Sequence, residues 1–210
     1  MHQAVSEIIN GIHKKGQKSL AILIDPDTPG EALMRSLVDV INESELDFIF
    51  FGGSLLTQFE LDEKIKYLKS KTSCKIISFP GSVQQISGEA DALLFLTLIS
   101  GRNPEFLIGQ QVIAAPMIKK LGLETLATGY MLVDGGKPTT ASYMSGSHPI
   151  PHNKPEIAAC TAMAGEMLGL HYIYLDAGSG AENSVSIDMI KAVRSQVDLP
   201  IIVGGGIRSA

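Results

Sequence analysis

Strand-sized apolar runs alternate with longer amphipathic stretches along the whole chain. Apolar residues recur at helical spacing in the longer stretches, whereas the short runs are rich in Ile, Leu, Val and Phe and end at Gly, Pro, Asp or Ser. The pattern predicts seven strands, at residues 19–24, 46–51, 74–79, 90–98, 124–133, 172–176 and 199–204. It predicts helices at residues 4–15, 29–42, 61–70, 104–121, 154–170 and 184–197.

Alternating strands and helices are typical of α/β folds built on a parallel sheet. The spacing gives no sign of a second domain, so we expect residues 1–210 to form one domain of the TIM (β/α)8 barrel type. A closed barrel needs eight βα units, and the sequence stops just after the seventh predicted strand. We therefore expect a barrel whose eighth βα unit is missing at the C-terminal end.

Composition narrows the possible functions. The chain has a formal net charge of −5 and no run of Lys and Arg, which argues against electrostatic binding of nucleic acid. No apolar run approaches the roughly 20 residues of a membrane span, and the polar N-terminus lacks the apolar core of a secretory signal. We expect a soluble, cytoplasmic protein in which Cys74 and Cys160 are reduced packing residues.

The stretch Tyr172–Ala181, with the sequence YIYLDAGSGA, runs from a predicted strand into a glycine-rich loop. Alternation along the strand places Tyr174 and Asp176 on one face, where they can meet a ligand. The residues Gly178–Gly180 allow a tight turn whose N–H groups point at an anion, most favourably at the start of a following helix. An ordinary strand-to-helix turn uses glycines in the same way, so this loop alone does not establish a phosphate site.

A second strand ends in the same manner. The stretch IIVGGGIRS, at residues 201–209, is again an apolar run followed by consecutive glycines, Gly204, Gly205 and Gly206. In a (β/α)8 barrel the loops after the late strands commonly bind phosphate at the C-terminal face. Two such loops on successive strands favour a phosphate site over two unrelated turns.

Oxygen-bearing side chains follow the first two predicted strands. The first strand ends at Asp25, and the second is followed by two glycines and Ser54. A carboxylate and a hydroxyl at neighbouring strand ends can hold Mg²⁺ and leave coordination positions for diphosphate oxygens and water. The alternative is structural: Asp27 or Thr28 caps the next helix, and Ser54 is only a helix-entry residue.

Two other segments bear on a site. Residues 134–153 form an irregular stretch that is too long for an ordinary barrel loop, and such loops usually cover a site. The predicted helix at 104–121 is largely apolar. Its Phe, Ile and Met residues favour core packing, and the alternative is the wall of an apolar channel.

Six motifs occur in order along the chain: ILIDPDT, FFGGS, SFPGS, LISGRNP, YLDAGSGA and VGGGIRS. Together they resemble the geranylgeranylglyceryl phosphate synthase family, which also includes the bacterial heptaprenylglyceryl phosphate synthases. The resemblance covers essentially the whole chain. The form YLDAGSGA is more similar to the branch found in many archaea and some bacteria than to the YLEYSG form of the heptaprenyl enzymes.

This resemblance implies a Mg²⁺-dependent TIM-barrel prenyltransferase that joins sn-glycerol 1-phosphate to a polyprenyl diphosphate, with geranylgeranyl expected, through an ether bond in lipid biosynthesis. It implies that Asp25 and Ser54 hold the metal and that the segment from Phe106 to Met117 lines a prenyl groove. A homo-oligomer with peripheral access to the membrane for its lipid product is also implied. The residues expected to bind glycerol phosphate are Tyr174, Asp176, Gly178, Ser179, Gly180, Gly204, Gly205 and Gly206.

The chemistry agrees with these assignments. An allylic diphosphate leaves with negative charge, which Mg²⁺ neutralises while the glycerol hydroxyl attacks the developing cation at C1. A carboxylate beside that hydroxyl can accept its proton, and we assign this catalytic role to Asp176, with Tyr174 positioning the glycerol. Two departures accompany the resemblance. Many family members carry Glu in place of Asp176, and the given sequence does not contain the Gly-Asn phosphate contact of the family's eighth strand. If the protein itself lacks that segment, we expect weaker phosphate binding.

Three other functions match parts of the pattern. A related prenyltransferase acting on 3-phosphoglycerate needs a basic residue for the extra carboxylate, and Arg208 is the only obvious candidate. A phosphosugar isomerase or an aldolase uses the same barrel, but a Schiff-base aldolase needs a Lys at the C-terminal end of a strand, and Lys75 lies at the start of its strand. A non-catalytic phosphate-binding barrel predicts glycerol phosphate binding without turnover.

Overall fold

A computed structural model describes residues 3–27, 30–57 and 60–208. The strands are β1 (Ala21–Ile24), β2 (Phe48–Phe51), β3 (Lys75–Ser78), β4 (Ala92–Leu98), β5 (Thr125–Leu132), β6 (Tyr172–Asp176) and β7 (Ile201–Gly204). The helices are α1 (Val5–Lys14), α2 (Glu31–Glu43), α3 (Leu61–Lys71), α4 (Gln110–Leu121), α5 (Thr140–Ser145), α6 (Pro155–Met167) and α7 (Ile187–Arg194). A π-helical turn, Glu105–Gly109, leads directly into α4, and a short 3₁₀ helix, Val83–Gln85, precedes β4.

The strands follow one another in the sheet in sequence order, from β1 to β7. The pairings are parallel: Ile24 lies opposite Phe51 between β1 and β2, and Asp176 lies opposite Leu132 of β5 and Gly204 of β7. Parallel strands in sequence order, joined by helices, form the TIM (β/α)8 fold. Seven of its strands and no eighth occur among the described residues, so the predicted fold class is confirmed.

The chain divides into two compact units, each with its own apolar core. The first unit contains residues up to 94 together with 114–125, and the second contains 95–113 together with the residues from 126 onward. The core of the first unit lies between β1–β3 and helices α2 and α3, and its largest buried members are Ile41, Ile49, Phe51, Ile65, Leu68 and Ile76. The core of the second unit includes Met131, Ile150, Ile173, Leu175, Met189 and Val193.

Alternation along β6 separates the core of the second unit from its polar residues. Ile173 and Leu175 belong to the apolar core, whereas Tyr174 and Asp176 do not. This is the two-residue period of a strand, in which successive side chains point to opposite faces. The predicted sharing of one face by Tyr174 and Asp176 is confirmed.

Two elements near the glycine loops differ from the sequence prediction. The helix predicted from residue 184 begins at Ile187, after Ser186, whose hydroxyl accepts the N–H of Met189 at 3.2 Å. The residues Gly178–Gly180 therefore do not stand at a helix N-terminus, and that part of the phosphate argument is wrong. The stretch at 134–153 is not wholly irregular, because it contains α5, whose N-cap residue is Thr139.

Crossing a bilayer as a helix takes roughly 20 apolar residues. No helix in the described part of the chain combines that length with that apolarity.

Candidate active site

Asp176 is the last residue of β6, and its side chain is buried, with 8% of the residue exposed. Its Oδ1 accepts the N–H of Gly178 at 2.7 Å, and its Oδ2 accepts the hydroxyl of Tyr130 at 2.5 Å. Burial raises the pKa of this carboxyl above its ordinary value, although the hydrogen bonds from Tyr130 and Gly178 act in the opposite direction. Asp176 therefore takes up a proton more readily than an exposed Asp does, which suits a general base.

Tyr130 is the partner of Asp176 that the sequence reasoning missed. It lies opposite Tyr174 in the register of β5 and β6, and the two rings meet edge to face with centroids 5.5 Å apart. Burial, followed by the charge of Asp176, raises the pKa of the Tyr130 hydroxyl well above its ordinary value. The hydroxyl therefore stays protonated and donates to the carboxylate. Tyr130 and Leu132 share one face of β5, but only the pairing of Tyr130 with Tyr174 and of Leu132 with Asp176 brings the hydroxyl to the carboxylate.

Tyr174 packs against the end of β7. The residue is 4% exposed, and burial, with the charge of Asp176, raises the pKa of its hydroxyl well above the ordinary value. A Cβ on Gly204 would lie 2.5 Å from this hydroxyl oxygen, closer than any non-bonded contact allows. Gly204 therefore makes room for the Tyr174 phenol, and its predicted contact with substrate remains a prediction.

The two predicted phosphate loops lie against each other. Gly205 has φ +82°, and a Cβ there would lie 2.4 Å from the backbone nitrogen of Gly178. A side chain at Gly206 would meet the carbonyl oxygen of Asn183 at 2.8 Å. The structure thus brings together the loops after β6 and β7 next to Asp176, as the sequence predicted.

The loop after β5 packs onto the same cluster. The carbonyl oxygen of Gly135 accepts the N–H groups of Glu182 and Asn183 at 2.9 and 3.0 Å. A Cβ on Gly178 would lie 2.4 Å from Cγ2 of Thr139. The beginning of the segment 134–153 therefore covers the loop after β6, which holds Ser179 and Gly180.

The predicted metal ligands lie in the first unit, after β1 and β2. Asp25 is exposed; its Oδ1 accepts the N–H of Asp27 at 2.9 Å, and its Oδ2 accepts no hydrogen bond within the described residues. That Oδ2 is 3.0 Å from the position of a Cβ on Gly53, the residue before Ser54. The carboxylate therefore abuts the loop that carries the predicted hydroxyl ligand.

This donor set fits Mg²⁺, because carboxylate and hydroxyl oxygens are the ligands that hard cations prefer. In the described part of the chain no group of three or more His, Cys, Asp and Glu side chains could hold a metal ion. A magnesium ion at Asp25 and Ser54 would therefore take its remaining oxygen ligands from a diphosphate and from water.

Asp27 does not cap helix α2 as predicted but accepts hydrogen bonds from Thr57. Helix α2 is preceded by Gly30, which provides no side-chain cap. The Oδ2 of Asp27 accepts both the N–H and the hydroxyl of Thr57 at 2.8 Å, so it ties the loop after β1 to the loop after β2. The prediction that Asp27 caps the helix is wrong, and the alternative cap, Thr28, lies outside the described residues.

Gln85 is a second residue that the sequence reasoning missed. It is 1% exposed, and its Oε1 accepts the N–H groups of Gly53 at 3.2 Å and Gly81 at 3.3 Å. The side chain therefore fixes the loops after β2 and β3 next to Ser54. Nothing in the local pattern marks it, because its contacts are made across two strand ends.

The apolar segment before and within α4 is partly exposed. Ile108, Val112 and Ile113 are 60–64% exposed, whereas Ala114 and Ile118 are buried. Core packing, the first interpretation of this segment, is therefore wrong for the three exposed side chains. Elsewhere in the second unit, a largely apolar cleft of about 540 Å³ is lined by residues that include Leu107, Ile157, Ala164 and Leu168.

The strand order and the polar residues at the ends of β5–β7 define a (β/α)8-type protein with a buried carboxylate beside two packed glycine loops. The chain belongs to the PcrB family, whose model matches residues 13–210.

Individual relatives agree with this assignment. Two proteins named geranylgeranylglyceryl phosphate synthase are similar to this chain. The protein from Chitinophaga pinensis is 51% identical over 210 residues, which is 100% of this chain and 83% of that protein. The protein from Spirosoma linguale is 52% identical over 202 residues, which is 96% and 81% of the two chains. The resemblance stated from the motifs is confirmed.

A solved structure is similar over nearly the whole chain. It is the crystal structure of (S)-3-O-geranylgeranylglyceryl phosphate synthase from Thermoplasma acidophilum in complex with the substrate sn-glycerol-1-phosphate. The TM-score is 0.92 at 32% identity, covering 99% of this chain and 83% of that chain.

Proposed function

We propose that this chain is a prenyltransferase that forms an ether between sn-glycerol 1-phosphate and a polyprenyl diphosphate, with geranylgeranyl diphosphate as the expected donor. The observation that carries the proposal is the packing of the loops after β6 and β7 beside the buried carboxylate of Asp176. The relatives named geranylgeranylglyceryl phosphate synthase support the reaction, and the complex of the Thermoplasma acidophilum enzyme supports the acceptor.

The acceptor is bound by the second unit. Backbone N–H groups of Ser179, Gly180, Gly205 and Gly206 surround the phosphate, while that of Gly178 donates to Asp176. Tyr174 orients the glycerol. Asp176 accepts the proton of the attacking hydroxyl as the new C–O bond forms at C1 of the donor and the bond from C1 to the diphosphate oxygen breaks. The products are the ether and diphosphate, and the proton remains on Asp176 until water removes it. Tyr130 holds the carboxylate in place throughout.

Asp25 and Ser54 would hold a Mg²⁺ ion for the diphosphate of the donor. When bound, the ion would neutralise the charge that develops on the leaving diphosphate. Asp27 and Gln85 keep the loops that carry these two ligands in position.

The prenyl chain lies on the exposed apolar side chains that precede and begin α4. Ile108, Val112 and Ile113 offer apolar surface that is more than half exposed. Each buried methylene of a prenyl chain is worth about 0.8 kcal/mol, so a C20 donor gains much of its affinity here.

The chain acts as a homo-oligomer with peripheral access to the membrane. Helix α6 ends at Met167, which is 84% exposed, and the capping residue Leu168 is 76% exposed. Ile157, near the start of the helix, is 44% exposed. The family resemblance implies a homo-oligomer, and we place the contact with a second copy of this chain at this apolar face. Peripheral access lets the apolar product leave for the bilayer.

The test is product formation from purified protein, Mg²⁺, labelled sn-glycerol 1-phosphate and a C15 to C35 series of prenyl diphosphates. The proposal predicts an organic-soluble labelled ether, lost on chelation of the metal and lost in D176N. Replacing the acceptor by 3-phosphoglycerate tests the alternative substrate. No ether with any donor from folded protein that binds glycerol phosphate would favour a non-catalytic barrel.

A further inference from the structure

The loops after β5 and β7 each bring one cationic side chain to the loop after β6. Lys137 Nζ lies 4.0 Å from the position of a Cβ on Gly180. Arg208 Nη2 donates a hydrogen bond to the carbonyl oxygen of Ala181 at 3.2 Å. Both cations therefore lie beside the end of the stretch Gly178–Ala181, whose glycines were predicted to bind phosphate.

Neither cation is neutralised by a nearby carboxylate. Within the described residues Lys137 and Arg208 form no ion pair, although acidic side chains lie in the same loops. The Oδ1 of Asp134 accepts the N–H of Gly136 at 2.9 Å, and the carboxylate of Glu182 lies next to Gly136. Both basic residues are exposed, so their charges remain available to a ligand.

A phosphate monoester carries a charge of about −1.5 to −2 at neutral pH. Backbone N–H groups supply partial charges only, and the loop is not at a helix N-terminus, so no helix dipole adds to them. Charge-assisted hydrogen bonds from Lys and Arg are about twice as strong as neutral ones. A site built from these glycine loops alone would therefore leave much of the ligand charge without compensation.

We propose that Lys137 and Arg208 bind the phosphate of the acceptor together with the glycine loops. This inference rests on the proposed function and adds two side chains to the same site. The ligand class is a dianionic phosphate monoester, whose charge the two cations match.

The experiment measures the dissociation constants of sn-glycerol 1-phosphate and of inorganic phosphate by calorimetry at 50 and 500 mM NaCl. The variants are K137M, which removes charge from an exposed and unpaired side chain, and R208Q, which keeps a donor for Ala181. K137R retains the charge and serves as the conservative variant. K191M is the matched control, because Lys191 is an exposed lysine in the last turn of α7.

We expect K137M and R208Q each to weaken both ligands by about three- to tenfold at low salt and to flatten the salt dependence. K137R and K191M are expected to bind as the unmodified chain does. Unchanged affinity and unchanged salt dependence in both K137M and R208Q would overturn the inference while leaving the proposed function intact. Failure of the unmodified chain to bind either ligand would overturn both.

Discussion

At the scale of single residues, burial and hydrogen bonding act in opposite directions on the pKa of Asp176. Its carboxylate is removed from water, which disfavours the charged form, and it is held by the Tyr130 hydroxyl and the Gly178 N–H, which favour it. A general base must be charged before it can accept a proton, so the proposed reaction uses the form that burial makes costly. The two hydrogen bonds are the reason that this form is accessible.

Removing the Tyr130 hydroxyl shifts the pH dependence of activity. The hydrogen bond from Tyr130 lowers the pKa of Asp176, so in Y130F that pKa rises further. Because the carboxylate is the active form, activity is lost as pH falls, and we expect this acidic limb of the kcat/KM profile to move to higher pH. The matched control is Y143F, since Tyr143 is 85% exposed. An acidic limb at the same pH in Y130F and the unmodified chain would contradict the role given to Tyr130.

Replacing Asp176 by Asn is expected to abolish activity and to raise the stability of the fold. A carboxyl whose pKa is raised by folding stabilises the fold below its unfolded pKa, and this contribution is lost as pH rises through the folded pKa. Asn keeps the shape and stays neutral. We expect D176N to be inactive but to have a higher Tm than the unmodified chain, by a margin larger at pH 8 than at pH 4.5. A margin that does not grow with pH would show that the buried charge is not the cause.

At the scale of elements, the loops after β5, β6 and β7 form one packed cluster. Gly178 lies between Thr139, in the loop after β5, and Gly205, in the loop after β7. The carbonyl oxygen of Gly135 accepts hydrogen bonds from the loop after β6. A side chain at Gly135 or Gly205 would meet the backbone of a neighbouring loop, and one at Gly178 would meet the side chain of Thr139. The geometry of a bound phosphate is therefore set by contacts between loops and not by any single loop.

A methyl group at Gly205 tests this cluster. In G205A the new Cβ would meet the nitrogen of Gly178 and drive the two loops apart. The control is G169A, because Gly169 has a similar φ of +85° and open space around it. Both variants are expected to lose about 1 kcal/mol of stability from the positive φ. G205A should lose more, because its Cβ also meets backbone atoms of Gly178. Only G205A should also lose more than tenfold in affinity for sn-glycerol 1-phosphate, measured by calorimetry; equal affinities would refute the packing argument.

At the scale of the whole molecule, association of copies is expected through the apolar face at α6. The double variant M167D/L168D places two charges on this face, which would have to be desolvated at an interface. We expect light scattering after size-exclusion chromatography to show an oligomer for the unmodified chain and a monomer for the variant. The control is I187D, because Ile187 is a 69% exposed apolar residue at the start of α7. A monomeric unmodified chain would contradict the proposed association.

The fold follows from the sequence because its signals are local and repeated. Apolar runs ending in Gly, Pro, Asp or Ser mark each strand, and β6 ends at Asp176 as its period-2 pattern predicts. Helix α5 was missed because six residues carry too few apolar positions to show a period. The start of α7 was misplaced because Ser184 and Ser186 are both suitable caps, and only the hydrogen bond to Met189 distinguishes them.

The candidate site is less visible in the sequence. Asp176 and the glycines of the two loops stand out because they follow strands directly. Tyr130 and Gln85 do not, because their roles depend on the register of neighbouring strands and on contacts between loops. Lys137 reaches the loop after β6 from a different loop, and no spacing rule connects residues 137 and 180.

The most direct test is a crystal structure of this chain with sn-glycerol 1-phosphate. We expect the phosphate within hydrogen-bond distance of the backbone N–H groups of Ser179, Gly180, Gly205 and Gly206, with the Gly178 N–H still donating to Asp176. We also expect the attacking hydroxyl within hydrogen-bond distance of the Asp176 carboxylate. A glycerol phosphate bound elsewhere, or bound with its phosphate directed at Asp176, would contradict the account.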